Sequence, residues 1–125
     1  MTVSKQQLVN PVGAELITLE QTNPGVGVVR TAEQVASGSK KVLAVEIDNT
    51  GNEAISYLKL WSGSPASVGG TDPVCILRAD GSSRVQYTFD VGFTIVDAYA
   101  ATLTTKGTAG NVAPEATITA RFLLE

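Results

Sequence analysis

Enzymes need residues that move protons, hold metals or attack electrophiles, and this sequence has few of them. It contains no histidine and a single cysteine, Cys75. Ser-His and Cys-His pairs, in which an imidazole takes the proton of the nucleophile, are therefore excluded. Zinc centres built on His and Cys fail for the same reason, since one thiol does not complete a set of four ligands. Cys75 lies in an apolar run, where a free cysteine is more often a small buried hydrophobe than a nucleophile. The carboxylates Asp48, Asp72, Asp80, Asp90 and Asp97 fall at predicted strand ends, where Asp ordinarily accepts bonds from turn amides. No clustered Asp-x-Asp-x-Asp spacing gathers oxygens for calcium, and a glycosidase pair would have to be drawn from scattered acids. Gly25-Val26-Gly27 and Val68-Gly69-Gly70-Thr71 lack the Gly-Lys-Ser/Thr that completes a phosphate cradle, and both read as loops. The expectation is no catalytic residue, no metal ligand and no cofactor.

Aromatic residues leave one other possibility. Tyr57, Trp61, Tyr87 and Phe89 lie on predicted strands, and rings on a sheet face stack against sugars, although more often they fill a core or a subunit contact. Tyr57 and Trp61, beside a loop of Ser, Gly and Pro at 62–73, form the candidate glycan platform.

The elements that carry these residues have a period of two. In 41–49, Leu43, Val45 and Ile47 point one way and Ala44, Glu46 and Asp48 the other. The Asn-Thr-Gly-Asn run at 49–52 tolerates positive φ and predicts a hairpin. Residues 54–61 return with Leu58 and Leu60 on one face and Ile55, Tyr57 and Trp61 on the other, the signature of a central strand. After a strand at 74–79 and a turn at 80–83, the run 84–90 puts Val85, Tyr87 and Phe89 inward. Residues 93–96 read as a short strand or a bulge, and 98–105 carry small Ala and Thr side chains that allow close approach. A glycine-containing loop at 106–114 precedes the last strand, where Ile118, Ala120, Phe122 and Leu124 oppose Thr117, Thr119, Arg121 and Leu123. Six or seven such strands without a long helix predict an all-β domain over 41–125, an antiparallel β-sandwich of jelly-roll type. Residues 1–40, rich in Gln, Asn, Thr, Gly and Val and broken by Pro11 and Pro24, read as an extended N-terminal arm. Apolar patches at 16–19 and 26–29 would add edge strands, and a capping pattern from Thr31 to Gln34 suggests one helical turn over 31–37.

Composition narrows the class of partner. A length of 125 residues suits one domain, and 43% hydrophobic with 17% charged residues is the content of a packed globular chain. The net charge is −3, and the nine Lys and Arg residues are dispersed, so no basic stripe faces a phosphate backbone and nucleic acid is not an expected partner. No apolar run approaches the roughly 18 residues that cross a bilayer, nor does residues 1–10 show a signal-peptide core, so neither membrane nor export is expected. A lone cysteine agrees with synthesis in a reducing cytoplasm.

Between 42 and 105 the order of turn and strand residues follows a pattern. It runs Val45-Glu46-Ile47-Asp48-Asn49-Thr50-Gly51, then Ala54 through Leu60-Trp61, Gly70-Thr71-Asp72-Pro73-Val74, Leu77 to Ser82, Gly92-Phe93 and Ala98 to Thr105. This succession resembles small virion structural proteins of tailed bacteriophages, over about half of the chain. The resemblance implies a β-sandwich that decorates or cements the capsid, commonly as a homotrimer. It implies the major capsid protein as partner and the capsid surface as location. An attachment module of this kind works through extended arms, strand edges and apolar patches. The candidate partner-binding residues are Val9, Leu16, Ile17, Leu19, Val26, Val28 and Val29 in the arm, with Leu123 and Leu124 at the end of the chain. The alternative for the arm is packing on its own domain. The rival function is a carbohydrate-binding or adhesin-like module using Tyr57 and Trp61, and an enzyme with a concave acidic pocket stands third.

Overall fold

Alternating side chains form strands only where a second layer can cover the apolar side, and this chain supplies two layers. The computed structural model describes residues 2–7, 14–25, 28–107 and 110–125. Within them the elements are β1 (Thr2–Gln7), β2 (Glu15–Gln21), β3 (Glu33–Gln34), β4 (Ser39–Asp48), β5 (Ser56–Ser62), β6 (Cys75–Ala79), β7 (Arg84–Val96), β8 (Ala98–Leu103) and β9 (Ile118–Leu124). All pairings are antiparallel. One sheet has five strands in the order β1-β2-β9-β4-β7 and the other four in the order β3-β8-β5-β6. The protein is therefore all-β, a sandwich of two antiparallel sheets.

The inner faces meet in one core. Ile17 and Leu19 of β2, Val45 and Ile47 of β4 and Ile118, Ala120 and Phe122 of β9 pack against Leu58 and Leu60 of β5, Leu77 of β6 and Ala100 of β8. Each such buried aliphatic side chain contributes on the order of 1.5–3 kcal/mol relative to exposure. Val85, Tyr87 and Phe89 lean on this core from the β7 margin. A second cluster, Trp61, Val68, Ala101 and Leu103, lies on the back of the four-stranded sheet. There the loop after β5 folds over the strands, so β5 is buried on both faces, as expected of a central strand.

Several local expectations change. The run 49–52 is not a hairpin, because β4 and β5 belong to different sheets and β4 pairs instead with β7 and β9. Turn residues are the same for a hairpin and for an arch between layers. What distinguishes this arch is a buried polar cluster: Asn49 donates to the carbonyls of Ala54, Ala79 and Asp80 and accepts from Asn52 and Ser56. Leu43 does not point with Val45, since a bulge at this residue puts Val42 on the inner side instead. The runs 84–90 and 93–96 form one strand, β7, with the bulge inside it. Opposite Leu43, residues 89–92 are unpaired, Phe89 and Phe93 meet edge to face at 5.0 Å, and Gly92 takes φ +70. No helical turn forms at 31–37; the backbone there is extended as β3, paired with β8.

Residues 15–21 are not an appendage. β2 sits between β1 and β9, with Ile17 and Leu19 in the core. A second polar cluster bolts this segment to β8: Thr102 donates its N–H and hydroxyl to Gln21 Oε1 at 2.6 and 2.9 Å. Arg30 donates to the carbonyls of Thr102 and Thr22 at 3.2 and 2.5 Å.

Candidate functional site

On the outer face of the five-stranded sheet, cross-strand register sets the residues in three rows. The first row runs Gln6, Leu16, Leu123, Ala44 and Thr88. The second runs Ser4, Thr18, Arg121, Glu46 and Gln86, and the third Thr2, Glu20, Thr119, Asp48 and Arg84. Directly opposed side chains on one face are neighbours, so from β2 to β7 each row is a contact line across four strands. The apolar row and the middle row enclose a shallow hollow of about 210 Å³, lined by Leu16, Leu123, Ala44, Glu46, Gln86 and Arg121.

Charges around the hollow pair with one another. Arg121 binds Glu46 at 2.9 Å and Arg84 binds Asp48 at 2.9 Å. Asp48 also accepts the hydroxyl and the amide of Thr50 at 2.6 and 3.1 Å. The Thr50 hydroxyl first, then its amide and Arg84, lower the Asp48 carboxyl to about 2. This face can therefore lie against a partner without exposing an unmatched charge at its centre, and the half-buried Leu16 and Leu123 supply its apolar contact.

The proposed partner-binding residues divide three ways. Leu16 and Leu123 are brought together as direct cross-strand partners. Ile17, Leu19 and Leu124 are corrected: all three are fully buried in the protein's own core and have no surface to offer a neighbour. The reason is parity, because in β2 and β9 every second residue turns inward. Val28 and Val29 are exposed at one end of the sandwich beside Val112, a neighbour that a reading of 106–114 as a mere connection missed. Val9 and Val26 lie outside the described residues.

The glycan platform is also corrected. Trp61 is 2% exposed, packs on Val68 and donates its indole N–H to the Thr71 carbonyl at 2.9 Å. The loop 62–73 closes over the ring, so no ring face is left for a sugar. Tyr57, half-buried, stands on that same sheet opposite Arg78 and Leu103. The glycines at 69–70 belong to the tight turn that presents Thr71, held by Ser67. Cys75 is half-buried against the main core, and burial raises its thiol above the usual range. A larger hollow of about 650 Å³ separates the 51–54 turn from 112–116, with the exposed Glu53 and Glu115 on its rim and the satisfied amide of Asn52 in its wall. Among the described residues no three His, Cys, Asp or Glu side chains gather to hold a metal.

Comparison with protein-family models, with curated proteins and with solved structures finds no match to this chain.

Proposed function

We propose that the chain is a non-enzymatic structural protein of a bacteriophage virion, a decoration or cement protein that binds the major capsid protein lattice as a homo-oligomer, a trimer by the resemblance set out above. On this reading it resides on the capsid surface. The observation that carries it is the open face of the five-stranded sheet, where Leu16 and Leu123 form an apolar hollow ringed by mutually paired charges. These two side chains stand outside the core, so their half-exposed surface is free for a flat, repeated partner. Attachment at many equivalent points makes a weak single contact sufficient, because linked sites raise the effective concentration.

The test is co-sedimentation with undecorated phage heads. The protein should pellet with heads, and Leu123→Glu should weaken binding roughly 10- to 100-fold while leaving the thermal unfolding midpoint within a few degrees, the loss expected when one apolar anchor of 1.5–3 kcal/mol becomes a charge. A protein that ignores heads, or a Leu123→Glu variant that binds as well as the parent, defeats the proposal.

A further inference from the structure

Four sheet margins expose backbone in this fold, and three of them are blunted. The β3 margin is two residues long. At the β6 margin the Arg78 carbonyl is taken by the Tyr87 hydroxyl at 2.5 Å. The β7 margin is broken by the bulge at 89–92, which pushes Val91 out to 81% exposure. Short strands, capped carbonyls and bulges all prevent another strand from adding there. The fourth margin is different. Behind β1 lies β2, an uninterrupted seven-residue strand, and β1 covers it in unbroken register from Thr2 opposite Glu20 to Gln7 opposite Glu15.

β1 is seated by that ladder and pairs with β2 alone. Of its described side chains, Val3, Ser4 and Lys5, all are exposed and none belongs to either core cluster. Its described side-chain anchor is Lys5, which binds Glu15 at 3.1 Å. β2, by contrast, is fixed by Ile17 and Leu19 in the core and by β9 on its far side. The β2 margin is therefore anchored by contacts that do not involve β1.

We propose that the β2 margin is an acceptor for the first strand of a second copy of this chain, so that β1 is exchanged between neighbouring subunits of the oligomer. The described bonds that seat β1 are reproduced in the exchanged form: the same register, the same ladder and the same Lys5–Glu15 pair, now between two chains. Such an exchange costs little because the element is identical, and closed symmetry fills every acceptor. The exchange needs the seven Cα steps from Gln7 to Ala14 to bridge two subunits, which limits the gap between them to about 25 Å. The inference rests on the oligomer in the function proposed above. It does not depend on what that oligomer binds.

Two single-cysteine variants test it. In a Cys75→Ala background, Ser4→Cys is placed in one chain and Thr18→Cys in another; the two positions are direct partners in the β1–β2 ladder. Opposed residues of an antiparallel pair lie about 4.5–5.5 Å apart at Cα, within disulfide reach. The chains are mixed, unfolded together, refolded and mildly oxidised. Exchange predicts a covalent heterodimer, and the chain carrying both cysteines should give interchain ladders on a non-reducing gel. A mixture that never cross-links, with a double variant closing only within one chain, overturns the proposal. Thr2→Cys with Glu20→Cys repeats the experiment one row away should the first pair fail to fold. Head binding is measured separately, so an oligomer that coats heads but links only within chains sinks the exchange and spares the cement reading.

Discussion

Lys59 shows how a single side chain records the burial of a whole sheet face. It lies in β5 between Ile76 and Ala101, is 0% exposed, takes part in none of the described ion pairs and donates to the Gly107 carbonyl at 2.5 Å. Burial lowers its ammonium below the ordinary value near 10.5. In the window between the folded and the unfolded value, the unfolded chain binds more protons, so stability rises with pH there and the deficit is full below it. Lys59→Met removes the buried charge while keeping the bulk. Replacing a buried ionic group by a well-packed apolar one is neutral or stabilising by about 1–4 kcal/mol. Urea unfolding at pH 7 should show the variant at least as stable as the parent, and a parent that gains on it toward pH 10. Equal curves at all pH values would mean that Lys59 reaches water. Alternation in 54–61 places Lys59 with Tyr57 and Trp61, yet nothing local shows that distant loops fold over that face. The same blind spot turned Trp61 into a glycan candidate: a ring beside a Ser, Gly and Pro loop reads as exposed until Val68 covers it.

At the scale of elements, the turn at 80–83 is held by contact with another turn. An added Cβ on Gly81 would lie 1.8 Å from the Glu53 carbonyl oxygen, while Ser82 takes φ +54 and donates its N–H to the Asn52 carbonyl at 2.6 Å. Two arches between the layers are thereby pressed together around Asn49. Backbone has to move to admit one methyl, so Gly81→Ala should cost about 3 kcal/mol, the upper end for overpacking. A denaturation midpoint like the parent's would show that the arches are not in register as described. Strand identity was legible here because β9 and the first part of β7 alternate cleanly, and their inward residues are those the pattern names. Strand partnership was not. Asn-Thr-Gly-Asn and Asp-Gly-Ser-Ser close a hairpin or an arch equally well, and only long-range pairing of β4 with β7 and β9 decides between them. The bulge was half-legible: Gly92 marks it on β7, but its consequence falls on Leu43, opposite in space and far away in sequence. In the first 40 residues, composition resembles an arm because polar residues flank short apolar runs, whereas the pairing of β2 with β9 turns Ile17 and Leu19 of the first run into core.

At the scale of the molecule, the surface offered to a lattice is fixed by which charges are already matched. The chain carries a net charge of −3, and on the outer face of the five-stranded sheet Glu46 and Asp48 are paired with Arg121 and Arg84 within the face itself. A contact that buries Leu16 and Leu123 there gains chiefly from removing apolar surface from water, and this contribution is not weakened by salt. Exposed ion pairs between subunit and lattice would behave oppositely, since screening shortens the Debye length from about 10 Å at 0.1 M salt to about 3 Å at 1 M. Binding to undecorated heads should therefore change less than about threefold between 0.1 and 1 M sodium chloride, measured by the bound fraction after sedimentation. A drop of a hundredfold or more would move the contact off this face, to a surface where complementary charges across the interface set the affinity. Val28, Val29 and Val112 at the end of the sandwich are apolar as well, so salt alone does not separate the two surfaces. Comparing Leu123→Glu with Val112→Glu at the same salt does: the sheet-face reading requires the first to weaken retention on heads by the same roughly 10- to 100-fold and the second to leave it intact.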